Sequence, residues 1–137
     1  DMRFEIVCAC RGRYLLMVYH KTQLERRLAD RSVQQVLERF GYPAGQPLEE
    51  LLRMLKRRIA LTDGFPHEIG LFLGYPIEDV VGFIRNKGRG CKMSGYWKVY
   101  GDAEAASRLF DRLSRVCHAV TKRIEQGETL LEVFAAA

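Results

Sequence analysis

Two β-prone runs at the beginning of the chain constrain the fold most, because each is apolar on both of its faces. The runs, Arg3 to Cys10 and Arg13 to His20, are separated by Arg11-Gly12, which predicts a tight antiparallel hairpin. A strand pair that is apolar on both faces needs cover on both sides. We therefore expect a central pair in a sheet, flanked by helices or by a second subunit.

The next part of the chain combines helical and strand patterns. Capping-box patterns at Thr22-x-x-Glu25 and Ser32-x-x-Gln35 predict two helix starts. Leucines at helical spacing from Leu48 to Ile59 predict a further amphipathic helix. The segment Glu68 to Leu73 predicts a third strand, which ends at the turn Gly74-Tyr75-Pro76.

The later elements are a helix with an acidic first turn, a strand, a long helix capped by aspartate and a short last helix. In that order they span Ile77 to Ile84, Tyr96 to Tyr100, Asp102 to Gly127 and Leu130 to Phe134, and a Thr129-x-x-Glu132 box can cap the last one. The acidic residues of the first turn, Glu78 and Asp79, suit the helix dipole. The order ββαααβαβαα predicts an α+β (or α/β) fold with a single-layer sheet of about four strands, an N-terminal β-hairpin and flanking helices.

Composition bounds the class of protein. A chain of 137 residues, 47% of them hydrophobic and 28% charged, predicts a single globular domain over residues 1–137. No apolar run approaches the roughly 20 residues that cross a bilayer, so we expect no membrane segment and a cytoplasmic location. The formal net charge of +5 is spread over helices that also carry acids, which is typical of a solvated face and argues against an acidic DNA mimic.

The cysteines favour neither disulfides nor a metal site. Cys8 and Cys10 lie too close along one strand to bridge each other, and the other spacings form no disulfide framework, so we expect reduced thiols. Together with Cys91 or Cys117-His118 they offer thiolate and imidazole ligands for zinc or iron. That spacing fits no recognised metal motif, and buried cysteines mostly act as small hydrophobes. We therefore expect no metal.

The basic, glycine-rich segment from Arg85 to Lys98 is the best candidate for a ligand site. Cations among flexible glycines, beside aromatic side chains, can hold a phosphate or a nucleotide or stack a base. Alternation along the strand places Trp97 in the core and makes Lys98 the residue to test. The alternative is a mobile loop with solvated cations. The candidate ligand-binding residues of this segment and of the run before it are His67, Glu68, Tyr75, Arg85, Lys87, Arg89, Lys92, Tyr96, Lys98 and Tyr100.

His67 is the candidate catalytic residue, because an imidazole titrates near neutral pH and can serve as a general base. At the mouth of the predicted third strand it suits a thiol hydrolase of the papain type. Such an enzyme needs a cysteine at a helix N-terminus, where the dipole lowers the pKa of the thiol. The cysteines here are predicted on a strand, in a loop and inside a helix. A structural hydrogen-bonding role is therefore the preferred interpretation of His67.

Four segments carry a resemblance to a known family. They are His67 to Gly70 (HEIG), Leu73 to Pro76 (LGYP), Asp79 to Ile84 (DVVGFI) and Gly95 to Tyr100 (GYWKVY). With these motifs the chain resembles the bacterial domain-of-unknown-function family 3793, over most of its length. The resemblance implies no assigned activity. It also implies a preceding segment with a Cys-Ala-Pro stretch, so this chain is expected to lack an N-terminal segment of the family.

These observations favour a small, cytosolic, non-enzymatic ligand- or protein-binding accessory protein, whose partner is an unidentified protein or a small anionic ligand and whose cofactor is unknown. One alternative is a Cys/His hydrolase-like enzyme that uses His67 with a nucleophile not evident in this chain. Another is nucleic-acid binding through the basic Arg85 to Lys98 region and the Arg53 to Arg58 helix, with an affinity that falls steeply with salt. Self-association stays open, because another copy can cover an exposed strand edge.

Overall fold

The computed structural model describes residues 1–10 and 12–135, without the side chain of Cys10. Within these residues the fold is α+β, as predicted. The elements in chain order are β1 (Met2–Cys10), β2 (Arg13–His20), α1 (Lys21–Ala29), α2 (Arg31–Glu38), α3 (Leu48–Leu61), α4 (Ile69–Phe72), α5 (Ile77–Asn86), β3 (Met93–Ser94), β4 (Lys98–Val99), α6 (Ala103–Glu125) and α7 (Leu130–Ala135). None of the helices described here is long and apolar enough to cross a membrane.

The predicted N-terminal hairpin is confirmed, but its predicted place in a larger sheet is wrong. Strands β1 and β2 pair antiparallel, with a bulge between Ile6 and Cys8, and in the described chain they form a sheet of their own. Val7 and Met17 are buried in the main core, whereas Tyr14 is 74% exposed. The face of the hairpin that carries Tyr14 is therefore only partly covered by the rest of the protein.

The main core lies between the hairpin and helices α1 to α5. It is built from aliphatic side chains at helical spacing, together with a few residues of the hairpin and the connecting turns. The buried members are Val7, Met17, Leu24, Leu28, Val33, Val36, Leu37, Tyr42, Leu48, Leu51, Leu52, Leu55, Ile59, Leu71, Phe72 and Val80. The predicted amphipathic helix from Leu48 supplies the centre of this core as α3.

The first helices begin differently from the capping-box predictions. Helix α1 has no side-chain cap, and the amide of Thr22 donates instead to the carboxylate of Asp1 at 3.0 Å. Helix α2 is capped by Asp30, which accepts from the amides of Ser32 and Val33 at 2.8 and 3.3 Å. Aspartate caps a helix as well as serine does. Helix α2 therefore has its N-cap two residues earlier than the predicted Ser32.

The predicted third strand, Glu68 to Leu73, is wrong: this segment is helical and contains α4. The amide of Leu71 donates to the carbonyl of Glu68 at 3.0 Å, which is a turn of helix and not a ladder contact. Glu68, Leu71 and Phe72 are buried together, at the i, i+3, i+4 spacing of one helical face. A short apolar run fits the periodicity of a strand as well as that of a helix. Burial of this face against the core selects the helix.

The single four-stranded sheet predicted from that strand is therefore wrong as well. In the described residues the second sheet is the small antiparallel pair β3 and β4, in which Met93 faces Val99 and Ser94 faces Lys98. Only part of the predicted strand Tyr96 to Tyr100 is a strand. Residues 95–97 form a turn, the short strand β4 follows, and Trp97 is buried as expected.

A second, smaller core covers the β3–β4 pair. Trp97, Val99 and Ala106 are buried in it, and side chains of the first half of α6 complete it. The predicted Asp102 cap is confirmed, since its carboxylate accepts from the amide of Ala105 at 2.9 Å. This cap fixes the start of α6 directly behind β4.

The last helix is also capped as predicted. The carboxylate of Glu132 accepts from the amide and the hydroxyl of Thr129 at 2.7 and 2.8 Å. Helix α7 then returns to the hairpin, where Phe134 meets Phe4 edge-on at 6.1 Å. The chain thus closes back on its first strand.

Candidate functional site

A cavity of about 400 Å³ lies between the α4–α5 region and the β3–β4 pair. Its walls come from the loop before α4, from α4 and α5, from the turn between these helices, and from the β3–β4 turn. The lining residues are Phe65, Pro66, His67, Ile69, Gly70, Tyr75, Asp79, Val80, Phe83, Ser94, Gly95, Tyr96, Trp97 and Lys98. The cavity therefore joins the segments that the sequence marked with aromatic and glycine residues.

Aromatic side chains from several segments of the chain line the cavity. Tyr75 stacks on Trp97 with ring centres 4.5 Å apart and an angle of 25° between the planes. His67 meets Phe83 edge-on at 5.0 Å. At the mouth, Tyr96 is 45% exposed. Rings in these arrangements offer both faces and edges to a flat ligand.

The buried carboxylate of Asp79 holds the two walls together. Its side chain is 3% exposed, at the start of α5. One oxygen accepts from the backbone amides of Tyr100 and Gly101, both at 2.8 Å, and the other accepts from the indole Nε1 of Trp97 at 2.8 Å. These three donors offset the cost of burying the charge, so Asp79 fixes β4 and Trp97 against α5.

Close approach at glycines lets the aromatic side chains reach these positions. A Cβ atom at Gly95 would lie 2.4 Å from the ring of Phe110, and one at Gly82 would lie 2.5 Å from the side chain of Tyr100. Neither distance is compatible with a side chain. The β3–β4 turn can therefore sit on α6, and Tyr100 on α5, only because these residues are glycine.

Arg27 connects α1 to the turn that carries Tyr75. Its Nε donates to the carbonyl of Leu71 at 3.2 Å, and its Nη2 donates to the carbonyl of Tyr75. The guanidinium thus satisfies carbonyl groups at and beyond the end of α4. Burial raises the pKa of the Tyr75 phenol, so this ring faces the cavity as a neutral group.

Glu68 does not line the cavity, although the sequence placed it among the candidate ligand-binding residues. Its side chain is fully buried and accepts from the hydroxyl of Tyr42 at 3.1 Å and from Nε of Arg58. Its Oε2 atom has no hydrogen-bond partner within the described residues. Burial, and then the nearby Glu68 charge, raise the pKa of Tyr42. This cluster attaches α4 to α3.

Lys98 is the lysine that the structure brings to the cavity. Its ammonium group donates to the carbonyl of Gly88 at 2.7 Å. Lys92 makes a matching bond to the carbonyl of Gly101 at 2.7 Å, but it does not line the cavity. The hydroxyl of Tyr100 donates to the carbonyl of Arg89 at 3.0 Å and is likewise directed elsewhere.

The predicted site residues therefore divide into two groups. His67, Tyr75, Tyr96 and Lys98 meet at the cavity. The others lie outside its lining, and they are Glu68, Arg85, Lys87, Arg89, Lys92 and Tyr100. Sequence reasoning missed Phe65, Phe83 and the two residues that position the walls, Asp79 and Arg27. The roles of Asp79 and Arg27 could not be read from local patterns, because their hydrogen-bond partners lie far along the chain.

The side chains that line the cavity are mainly apolar and aromatic, with a few polar groups. Of the cysteines whose side chains the structure describes, Cys8, Cys91 and Cys117, none lines the cavity. The side chain of Cys10 lies outside the described part. Within the described residues no three His, Cys, Asp or Glu side chains are gathered closely enough to hold a metal ion. What converges here is a set of rings with a lysine, an imidazole and a hydroxyl at the edges.

Comparison with known proteins gives a family and no activity. No match was found among curated proteins or among solved structures. The family model described as "Protein of unknown function (DUF3793)" matches residues 1–134. This match covers nearly the whole chain and agrees with the family that the HEIG, LGYP, DVVGFI and GYWKVY motifs indicated, so the chain belongs to the DUF3793 family.

Proposed function

We propose that this chain is a bacterial, cytosolic, non-enzymatic binding protein whose ligand is a small molecule held in the aromatic cavity. The observation that carries the proposal is the cavity itself, about 400 Å³ in volume and lined by side chains of both cores together with further aromatic rings. Small-molecule sites fall in the range of roughly 300 to 1,000 Å³, and they combine apolar walls with a few polar groups. The cavity has this composition.

The walls are preorganised, which favours binding of a ligand over a purely structural role. Asp79 fixes Trp97 through its indole, and the Tyr75 ring is stacked on Trp97. A site whose side chains are already ordered loses little conformational entropy when it is filled. The exposed rings of Phe65 and Tyr96 then remain as the adjustable parts of the mouth.

The arrangement of polar groups favours binding over catalysis. His67 is exposed and meets Phe83, while Asp79 is occupied by its three donors. A nucleophilic mechanism needs a nucleophile within hydrogen-bond reach of its base. Because none of the described cysteine side chains lines the cavity, the hydrolase alternative gains no support from this site. Cytosolic location stays a prediction, in keeping with the free thiols of Cys91 and Cys117.

A fragment screen tests the proposal, and the protein supplies its own reporter. Trp97 is the sole tryptophan of the chain and lines the cavity, so its fluorescence reports occupancy. Small aromatic fragments that change this fluorescence are then titrated against two variants. Ser94→Leu fills the cavity from the exposed strand β3, and Ser107→Leu adds the same side chain on an exposed position of α6 outside the cavity.

We expect Ser107→Leu to bind the fragments as the unmodified protein does. In Ser94→Leu the affinity should fall at least about tenfold, because the larger side chain takes up space that the fragment needs. Equal binding by the two variants would place the ligand elsewhere. A screen in which no fragment alters Trp97 fluorescence or raises the melting temperature would remove the cavity as a ligand site.

A further inference from the structure

We infer that the ligand of the aromatic cavity is a planar aromatic anion, whose ring lies among the cavity's aromatic side chains and whose negative group contacts Lys98. This inference rests on the function proposed above and adds the chemical class of the ligand. Three observations carry it. They are the positive charge at the edge of the cavity, the unused hydrogen-bond donors of the Lys98 ammonium group, and the position of the basic loop, which is the segment from Lys87 to Lys92 between α5 and β3.

The charged groups lining the cavity favour an anion. Lys98 is the lining residue with a full positive charge, and His67 adds an imidazole that can donate a hydrogen bond. The negative charge in the lining, on Asp79, is buried and accepts three hydrogen bonds from the protein. Both oxygens of Asp79 are thus occupied by the protein, so Lys98 is the charged lining group that can bond to a ligand.

Lys98 is held in place with donors to spare. An ammonium group has three N–H donors, and the bond to the carbonyl of Gly88 uses one of them. The remaining donors can reach ligand oxygens without further ordering of the side chain, which lowers the entropic cost of binding. Charge-assisted bonds from such a group are about twice as strong as neutral ones.

The basic loop lies against the same edge of the cavity. A Cβ atom at Gly88 would be 3.0 Å from the Phe83 ring and 3.5 Å from the Lys98 ammonium nitrogen, so the loop backbone touches both. Its neighbours Lys87 and Arg89 are exposed on either side of Gly88. These two cations flank a residue that touches the cavity edge, so they add to the positive field that attracts an anion before contact is made.

The planar aromatic part follows from the ring geometry. Phe65 and Tyr96 present exposed rings at the mouth, and Phe83 and Tyr75 are half-buried deeper in the cavity. Aromatic rings also attract cations, so a quaternary ammonium ligand is the rival occupant. The cations at Lys98, Lys87 and Arg89 oppose that rival, and the experiment separates the two.

The test compares three naphthalenes of the same ring and different charge by isothermal titration calorimetry. They are 2-naphthoate, its neutral amide 2-naphthamide, and 2-naphthyltrimethylammonium. Acetate serves as the anion without a ring. The unmodified protein, Lys98→Gln and Lys92→Gln are each titrated. The two variants lose the same charge and the same kind of lysine-to-carbonyl bond, but only Lys98 lines the cavity.

We expect the unmodified protein to bind 2-naphthoate at least tenfold more tightly than the amide, and to bind acetate and the cation more weakly still. Lys98→Gln should lower the affinity for 2-naphthoate about tenfold and leave that for the amide within twofold. Lys92→Gln should change both less than threefold, and Lys98→Arg should restore most of the preference for the anion.

Different failures have different meanings. If no naphthalene binds at any charge, the function proposed for the cavity fails. If the amide or the cation binds as tightly as the carboxylate, the cavity is a ligand site but the inferred class of ligand is wrong. Equal losses in Lys98→Gln and Lys92→Gln would show a general charge effect and would also overturn the inference. The comparison in the unmodified protein decides the matter even if Lys98→Gln does not fold.

Discussion

Two buried carboxylates show how single residues are adapted to their surroundings. Asp79 accepts three hydrogen bonds with both oxygens, whereas Glu68 uses Oε1 for Tyr42 and Arg58 and leaves Oε2 without a partner in the described residues. A buried carboxylate is tolerated only with donors around it. The Tyr42 hydroxyl is therefore a necessary partner of Glu68, and its contribution can be measured.

Tyr42→Phe keeps the ring, which meets Phe72 at 5.8 Å, and removes only the hydroxyl. We expect the free energy of unfolding to fall by about 1 to 2 kcal/mol at pH 8, since the buried Glu68 loses a donor. Urea denaturation followed by circular dichroism measures this change. Tyr14→Phe is the matched control, because Tyr14 is 74% exposed; an equal loss there would contradict the explanation.

The contribution of Tyr42 to stability should decrease as the pH rises above about 10. Burial and the Glu68 charge raise the pKa of Tyr42 in the folded state, while the phenol of the unfolded chain ionises near pH 10. Unfolding therefore releases a proton above that pH, and stability is lost as the pH rises. We therefore expect the difference in the free energy of unfolding between the unmodified protein and Tyr42→Phe to become smaller by about 0.8 kcal/mol between pH 8 and pH 10.5.

At the scale of elements, the β3–β4 pair is too short to be stable alone. Its position depends on packing of its turn against α6, where Phe110 contacts Trp97 edge-on at 4.5 Å and Tyr96 at 5.6 Å. Gly95 gives the Phe110 ring the space that it needs. The contact between turn and helix is thus decided by one missing side chain.

Gly95→Ala should lower the free energy of unfolding by about 1 to 3 kcal/mol, because its methyl group would overlap the Phe110 ring. Adding Phe110→Leu should cost less in the Gly95→Ala background than in the unmodified protein, since the smaller side chain relieves the overlap. Chemical denaturation of the two single variants and the double variant gives this coupling. Strict additivity would show that the overlap is not the cause.

At the scale of the whole molecule, two cores of unequal size share one chain. The main core joins the hairpin to α1–α5, and the smaller one joins β3–β4 to the first half of α6. Tyr75 packs against both cores, and Asp79 links α5 to β4 through hydrogen bonds. The far end of α6 returns to the hairpin through α7, where Arg123 donates to the carbonyl of Val133 at 3.0 Å.

Asp79→Asn tests whether this link makes the two cores unfold together. An asparagine can still accept from the two amides, but its NH₂ group would face the indole N–H of Trp97, donor against donor. We expect the smaller core to lose about 2 kcal/mol, so the Trp97 fluorescence transition in urea should precede the helical circular dichroism transition. Asp111→Asn, on the exposed surface of α6, is the control and should leave the two transitions coincident. Coincident transitions in Asp79→Asn would show that Asp79 does not couple the cores.

Much of the molecule follows from local sequence. The hairpin, the amphipathic helix α3, the Asp102 cap and the Thr129–Glu132 box all depend on residues a few positions apart. Trp97 is a core residue as predicted, although it lies in the turn before β4 and not on the predicted strand. Aromatic and cationic residue types also singled out His67, Tyr75, Tyr96 and Lys98, which meet at the cavity.

What the sequence by itself determined was the class of fold, the N-terminal hairpin, helix α3, the caps of α6 and α7, and the family. Tertiary structure decided whether residues 68–73 form a strand or a helix, because a short apolar run fits both and only burial of Glu68 with Leu71 and Phe72 selects one. It also decided the cavity, since Asp79 and Trp97 are 18 positions apart. Local patterns record the period of an element, whereas hydrogen bonds between distant segments depend on where the folded chain brings them together.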